Sequence, residues 1–305
     1  MNILVTGSSG WLGQTLVPRL VRDGHAVIGL DPMPGPATSA AGSVVGSVVD
    51  RALIRRLIQD HGITAIVHAA ARHKPHIETH DNSEFVAVNV QGTLNLLEEA
   101  VINGVDRFVF TSTTSLMISQ QIRDGKAGGA KEAVWIDETL APLVPRNIDG
   151  VTKLAAEDLC RLFHQQHGLP VTILRTSRFF PEEDDMAHAI AQSGDNTKAN
   201  EFLFRRLSVE DAAEAHVVAL ARAPGLGFDT FIVSALTPFS RADCRTLIAD
   251  APSVVARYFP DYRVKYARRG WTMFDSIDRV YDSSKASRVL GFTCRTGFRQ
   301  VLDRL

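Results

Sequence analysis

The chain has 305 residues, 45% of them hydrophobic, with 33 Lys and Arg against 34 Asp and Glu for a formal net charge of −1. That length and apolar content allow one large domain or two lobes around a sizeable core. Near-neutral charge without a basic run or stripe argues against nucleic acid as a partner, and the absence of a long apolar stretch argues against a membrane span.

The first predicted strand starts at Asn2, leaving no room for a signal peptide, and runs through Ile3-Leu4-Val5-Thr6. Gly7, Gly10 and Gly13 follow, and Leu16, Val17, Leu20 and Val21 then recur at helical spacing. In such a strand–glycine loop–helix unit, Gly7 permits the tight turn and Gly10 lets backbone N–H groups approach a pyrophosphate. Gly13 lets the helix pack on the strand, and the helix N-terminus adds partial positive charge. Ala26-Val27-Ile28-Gly29-Leu30 is predicted as strand 2, ending at Asp31. A carboxylate there accepts both ribose hydroxyls of an adenosine and repels a 2′-phosphate, which favours NAD over NADP. A plain glycine-rich turn and a carboxylate merely starting a turn before prolines are the bland alternatives. Their common register with strand and helix speaks against both.

A Pro/Gly/Ala/Ser loop occupies residues 32–42, and Val44 to Val49 is predicted as strand 3, with Asp50 capping the next helix. Strand 4 is placed at Ala65 to Ala71, whose small residues admit a close ligand. Helical spacing covers about 83–103, and strand 5 at Arg107 to Phe110 runs out into Thr111-Ser112-Thr113-Thr114-Ser115. The polar segment 118–130 is expected to be a mobile surface loop, with or without a role at a substrate mouth. A helix starts near 149–153 with Asp149 as its N-cap, and Val171 to Arg175 is strand 6. His73-x-x-His76, with His80 and Glu78 nearby, lacks a third ligand at a telling spacing, so no metal is expected and hydrogen bonding is the favoured role. Cys160, Cys244 and Cys294 fit no metal or redox spacing, and lone thiols suit a reducing cytoplasm. Alternating strands and helices give an α/β class.

These residues carry a resemblance. Thr6-Gly7-Ser8-Ser9-Gly10-Trp11-Leu12-Gly13, Asp31, Val67-His68-Ala69-Ala70-Ala71, Asn89-Val90-Gln91-Gly92-Thr93 and Phe108-Val109-Phe110-Thr111-Ser112-Thr113 occur in order. Gly150-Val151-Thr152-Lys153, Leu174-Arg175, Val209-Glu210-Asp211 and Asp282-Ser283-Ser284-Lys285-Ala286 before Leu290-Gly291-Phe292 continue the series. Together they resemble the extended short-chain dehydrogenase/reductases of the NAD-dependent epimerase/dehydratase group, similar to UDP-glucose 4-epimerase. The resemblance implies a Rossmann-type doubly wound parallel sheet over 1–176, with 206–235 returning to it. A smaller substrate-binding lobe is expected from 177–205 and 236–305. It implies NAD contacts from Gly7, Ser9, Gly10, Trp11, Leu12, Asp31, Ser47, Val48, Ala69, Ala70, Ala71, His73, Asn89, Lys153, Thr176 and Ser177.

In that family a Ser or Thr after strand 5, a Tyr, and a Lys four residues after the Tyr carry the hydride chemistry, the phenol acting as acid/base. This chain offers Thr113 and Lys153, but Asp149 stands at the Tyr position. A carboxyl is roughly six pKa units more acidic than a phenol, and its oxygens stop roughly 3 Å nearer the backbone. Three readings stay open. Asp149 is a substitution that disables turnover but leaves NAD bound; a buried protonated Asp149 or a water relay does the work; or Tyr258, Tyr262, Tyr266 or Tyr281 reaches in. The intact match over Gly150 to Lys153 favours the first. Thr114 and Ser115 replace the Asp-Glu pair of the 4,6-dehydratases, which disfavours water loss.

Substrate contacts implied by the resemblance are Ser112, Thr114, Arg178, Arg205 and Arg269, whose charge suits an anionic ligand such as a nucleotide sugar. A simpler sugar, or salt bridging of these arginines to Glu182–Asp185, is the alternative. The helices at 83–103 and 151–167 match those through which the family pairs, so a homodimer is expected. A non-catalytic NAD-binding regulatory protein is the second function considered.

Overall fold

The computed structural model describes residues 1–35, 42–179 and 192–305. In chain order, strand β1 (Asn2–Thr6) leads through the glycine loop into α1 (Trp11–Arg22), which buries Leu12, Leu16, Val17 and Leu20. Then come β2 (Ala26–Asp31), β3 (Gly42–Val45), α2 (Arg51–Asp60) and β4 (Ala65–His68). Asp50 caps α2 as expected, its carboxylate accepting from the Leu53 amide at 2.9 Å. The helical stretch near 83–103 consists of α3 (Asn82–Phe85), a π-helical turn (Val86–Gln91) and α4 (Gly92–Ile102). Next are β5 (Arg107–Thr113), α5 (Gln120–Asp124), β6 (Val134–Ile136), α6 (Ile148–His167) and β7 (Val171–Thr176). The chain ends with α7 (Gly194–Glu201), α8 (Val209–Leu226), β8 (Phe228–Val233), α9 (Cys244–Ala249), α10 (Ala251–Tyr258), α11 (Tyr262–Arg269), β9 (Arg279–Tyr281) and α12 (Phe298–Asp303).

The main sheet has seven strands in the order β3-β2-β1-β4-β5-β7-β8, and the β1–β2, β1–β4, β2–β3 and β4–β5 pairs are parallel. A centre at β1 and β4 with the chain winding out both ways is the doubly wound α/β arrangement. Such an order puts the C-terminal ends of β1, β2 and β4 together at a switch point, where ligands bind.

Two compact units emerge. The first comprises Met1–Leu116, Asn147–Arg175 and Ala212–Phe231; the second comprises Met117–Arg146, Thr176–Asp211 and Ile232–Leu305. Residues 117–146, 176, 206–211 and 232–235, expected with the nucleotide-binding part, thus group with the second unit. The first unit's core sets Leu4, Ile28, Ile66 and Phe108 of the sheet against Leu96 and Leu97 of α4 and Ala156 and Cys160 of α6. In the second, Phe204, Leu247, Val254, Tyr266, Val280 and Phe298 share a core. No helix of the described residues is long and apolar enough to cross a membrane.

Several sequence boundaries shift for local reasons. Strand 3 ends at Val45, beyond which the chain turns: Ser47 Oγ accepts the Val49 amide and the Ser47 carbonyl accepts the Asp50 amide. Strand 4 stops at His68, three residues early: the Ala69 amide still reaches the Thr6 carbonyl, but the Ala70 amide turns to the Thr6 hydroxyl. Asn147, not Asp149, caps α6, accepting from the Gly150 amide at 2.9 Å and leaving Asp149 as the second helical residue. The 118–130 segment is folded rather than a loose loop. Ser119 caps α5, and Lys126 Nζ donates to the Ala249 carbonyl at 3.2 Å. Gln121, Gly125 and Ala130 from this segment line a cleft of about 450 Å³ with Arg245 and Asp278.

Candidate functional site

The glycine loop is built by contact. Gly7 has φ +72°, and a Cβ there would lie 2.8 Å from the Ala70 nitrogen, so the loop rests directly on the Ala69–Ala70 backbone. A Cβ at Gly13 would lie 2.4 Å from the Gly7 carbonyl oxygen and 2.5 Å from that of Ser8. Gly13 therefore serves the loop itself rather than the packing of helix on strand. Around Gly10 a Cβ would meet only the Gly7 oxygen, at 3.3 Å, leaving the rest of that side open. No described side chain caps α1. The N–H groups of its first turn, including those of Trp11 and Leu12, have no intrahelical acceptor and suit an anion. Gly29 of β2 belongs to the same device, because a Cβ there would sit 2.7 Å from Ser8 Oγ. Sequence spacing gave no hint of it.

Asp31 ends β2 and latches the loop. Its Oδ2 accepts the Ser9 amide at 3.1 Å, its Oδ1 accepts the Met33 amide at 2.9 Å, and Ser9 Oγ donates to the Met33 carbonyl at 2.8 Å. The carboxylate is thereby held next to the loop, and its remaining lone pairs can take hydroxyl donors. Ser47 follows β3, half-buried. Val48 turns its side chain into the core, where a Cβ at Gly92 would touch it at 2.5 Å, and its carbonyl accepts from Asn95. Only its amide is left for a ligand.

Ala69, Ala70 and Ala71 continue half-buried beyond β4. The His73 amide donates to His76 Nδ1 at 3.1 Å, and the two rings meet edge to face with centroids 4.6 Å apart. Burial, aided by His76, Lys153 and Arg72, pushes the His73 imidazole down to about 3, so it is neutral. No group of three or more potential metal ligands occurs among the described residues. Asn89 is 1% exposed and held on three sides. Its Oδ1 accepts the Arg72 amide at 2.7 Å, and its Nδ2 donates to the Arg72 carbonyl and to Thr152 Oγ1. It clamps the chain after β4.

At the end of β5, Thr113 is half-buried, and its Oγ1 accepts the Ser115 amide at 3.0 Å. Thr114 is buried. The buried Ser112 hydroxyl donates to Glu157 at 2.5 Å, beside the buried Glu157–Arg175 ion pair. Asp149, in the first turn of α6, is 3% exposed. One turn later Lys153 is equally buried, donating from Nζ to the Thr111 carbonyl at 2.8 Å and lying 4.6 Å from the Phe110 ring centroid. Burial pushes its ammonium down to about 8, against the opposing pull of Asp149 and Glu157. Thr111 is held from behind as well. Its hydroxyl meets His216 Nε2 at 2.8 Å, while Nδ1 of that ring donates to the Ala212 carbonyl.

The second unit holds the other expected residues. Thr176 ends β7 and the buried Ser177 donates its amide to Val233. Arg178, Arg205 and Arg206 surround one fully buried carboxylate, Glu201, at 3.7, 2.7 and 2.7 Å. Although burial opposes it, the three guanidinium groups hold the Glu201 carboxyl below its usual range. The acidic run Glu182–Asp185, with the rest of 180–191, lies outside the described residues. Arg269 is exposed in the last turn of α11 and is not an ion-pair partner of Glu201 among the described residues. Tyr258 donates to Asp243, Tyr262 to the Pro252 carbonyl and Tyr266 to Asn200, all inside this unit. The Asp243 hydrogen bond pushes the Tyr258 phenol upward and burial pushes that of Tyr266 upward, the wrong direction for a base.

Known proteins are similar to this chain in sequence and in fold. An uncharacterized UDP-glucose epimerase of Bacillus subtilis (strain 168) is 32% identical over 192 residues, 57% of this chain and 55% of that protein. A dTDP-glucose 4,6-dehydratase of Xanthomonas campestris pv. campestris (strain B100) is 30% identical over 242 residues, covering 72% of this chain and 67% of that one. The first of these alignments spans only about half of the relative's length. In fold, the chain is similar to the crystal structure of UDP-glucose 4-epimerase with UDP-glucose from Thermotoga maritima. The TM-score is 0.68 at 20% identity, with 99% and 98% of the two chains covered. The family model for NAD dependent epimerases and dehydratases matches residues 3–231. This chain belongs to the NAD dependent epimerase/dehydratase family.

Proposed function

We propose that the chain binds NAD at the glycine loop and acts on a sugar or nucleotide sugar as an epimerase or oxidoreductase, with proton transfer weakened by Asp149. The observation that carries this is the joint fit of three parts of the first unit: the open side of Gly10 at an uncapped α1, the latched Asp31, and the buried Lys153. The amides of Trp11 and Leu12 would hold the pyrophosphate alongside Ser9 and Gly10, whose own amides are spent on Asp31 and the Gly7 carbonyl; Asp31 would hold the adenosine ribose, and Ser47 with the Val48 amide the adenine. Ala69 to Ala71 and His73 would line the nicotinamide half, and Thr176 and Ser177 are the family-implied contacts from the second unit. When bound, NAD supplies the hydride acceptor for a substrate carbon bearing a hydroxyl.

Lys153 would orient the nicotinamide ribose, and Thr113 would donate to the reacting substrate oxygen. Asp149 lacks the reach of a tyrosine, and a carboxylate is in general a far weaker base than a phenolate toward an alcohol. Arg178 and Arg205 would meet an anionic part of the substrate. The B. subtilis and X. campestris relatives, both named for nucleotide-sugar chemistry, support that substrate class. Pairing of two copies would use α6, where Val151 and Leu162 are 48% and 41% exposed and lie on one stripe. A monomer in sedimentation would count against that pairing.

The test compares the chain with Asp149→Tyr, in the presence of NAD and a panel of sugars and nucleotide sugars. Turnover in the tyrosine form, raised about 10²- to 10⁴-fold, is the expected result. Full turnover in the aspartate form would overturn the assigned weakness. NAD binding with no turnover in either form favours a second reading, a non-catalytic NAD-binding protein, for which the loss of the phenol speaks.

A further inference from the structure

We infer that His68 is the centre of a buried hydrogen-bond relay through which occupancy of the glycine loop sets the first turn of α6, making His68, Thr93 and Thr152 positioning residues. The inference rests on the NAD reading above. Thr6, the last residue of β1, directly precedes Gly7, and its Oγ1 lies 2.7 Å from His68 Nδ1. His68 Nε2 lies 3.0 Å from Thr93 Oγ1, which donates to the Asn89 carbonyl at 2.6 Å. Asn89 Nδ2 donates to Thr152 Oγ1 at 2.9 Å, and Thr152 Oγ1 meets the carbonyls of Ile148 and Asp149 at 2.8 and 3.1 Å. The path runs from the glycine loop to the carbonyl of Asp149, one helical turn before Lys153.

Its proton order is fixed. Thr93 spends its hydroxyl hydrogen on Asn89, so it accepts from His68, and His68 carries its proton on Nε2. Nδ1 is then an acceptor, which obliges Thr6 to donate, while Thr6 Oγ1 accepts the Ala70 amide at 3.2 Å. The ring is neutral, because complete burial, with the nearby charge of Lys153, holds it well below its ordinary value. His68, Thr6 and Thr93 are 0% exposed, and Asn89 and Thr152 are 1% and 2% exposed. Apolar residues would fill these positions without the risk of an unsatisfied polar atom. The π-helical turn Val86–Gln91 carries Asn89, and such turns recur where a helix must aim one residue. Here it aims Asn89 at Thr152 and, with its other bonds, at Arg72. The relay thus crosses β1, β4, the α3–α4 helical stretch and α6, four elements that no local sequence interaction joins.

The experiment is amide hydrogen exchange of Gly150 to Lys153 with and without NAD, in the wild-type chain, Thr93→Val and Thr93→Ser. NAD should slow exchange there roughly 3- to 10-fold, the scale of one net hydrogen bond. Thr93→Ser keeps the hydroxyl and should retain that response, whereas the isosteric Thr93→Val should lose it while still binding NAD. A purely packing role predicts the reverse order, since valine keeps the methyl group and serine does not. Ring ¹⁵N shifts give an independent readout: His68 should show protonated Nε2 and bare Nδ1 in the wild type. Should Thr93→Val fail to fold, Thr152→Val interrupts the same path at its far end and replaces it. A valine variant with an undiminished response, or a His68 ring protonated on Nδ1, overturns the relay alone. Wild-type chain that does not bind NAD in calorimetry overturns the proposed function and the relay together.

Discussion

Lys153 Nζ donates to the main-chain carbonyl of Thr111 at 2.8 Å, although two carboxylates of its own helix, Asp149 and Glu157, stand one turn before and after it. Glu157 is taken by Arg175 and Ser112. The ammonium is therefore held on a neutral acceptor in a buried site. Its charge is expensive there, and that cost falls on stability.

Lys153→Met should stabilise the chain without NAD near pH 7. The folded value of about 8 lies below the ordinary 10.5, so the folded chain binds fewer protons than the unfolded chain between those limits. The destabilisation is complete below pH 8 and fades as the pH rises toward 10.5. The difference corresponds to roughly 3 kcal/mol, less about 1 kcal/mol for the Thr111 carbonyl left without its donor. Melting the two proteins at pH 7 and pH 10 checks it: the methionine form should gain at pH 7 and lose that advantage at pH 10. NAD affinity should fall at both.

Acid should unfold the chain through its buried imidazoles. His216 is pushed down to about 4 by burial, His73 to about 3, and His68 also downward. Below pH 6.5 the unfolded chain takes up protons that these rings refuse, so stability falls as the pH drops through that window. For His216 the loss by pH 5 is about 2 kcal/mol. Urea titrations from pH 7 to pH 5 should show the decline, with a shallower slope in His216→Gln.

Gly13→Ala should cost both stability and NAD binding. The added carbon would lie 2.4 and 2.5 Å from two loop carbonyl oxygens, and backbone on both sides cannot yield as a side chain would. A shifted loop loses the amide geometry offered to a pyrophosphate. A loss of about 2 kcal/mol and at least a tenfold weaker NAD affinity are expected. Gly24→Ala, where a Cβ meets nothing within 4 Å but φ is +84°, separates backbone strain from loop collision. It should cost stability and spare affinity.

What the sequence disclosed, and what it hid, follows from distance along the chain. The glycine loop, Asp31 and the α/β order were legible because each depends on residues within one strand–loop–helix unit. Asp50 was legible as a cap for the same reason. Asn147 displaced Asp149 from that role because two capping residue types stood close together and only one could take the extended backbone. Asn89, Ser112 and Val48 are expected as ligand contacts from the resemblance, which says nothing of the protein groups that hold them. Their partners, Arg72, Glu157 and Gly92, lie 17, 45 and 44 positions away, so their commitments appear only in three dimensions. The His68 relay joins residues up to 63 positions apart and has no sequence pattern of its own.

The Ser112–Glu157–Arg175 cluster separates a structural role from a substrate role. Glu157 is 1% exposed and pairs with Arg175 at 2.6 Å, while Ser112 supplies a further donor at 2.5 Å. Glu157→Gln leaves the Arg175 charge buried without its counter-ion and should cost about 3–5 kcal/mol. Ser112→Ala removes one donor to an ionised acceptor and should cost about 1.5–3 kcal/mol. Combined, the two substitutions should cost less than their sum, because they share one carboxylate. In an Asp149→Tyr background that turns over, Ser112→Ala should leave KM unchanged and Thr113→Val should lower kcat. A raised KM in Ser112→Ala would return that hydroxyl to the substrate, and urea midpoints measured alongside would show whether the Glu157 cluster had lost anything.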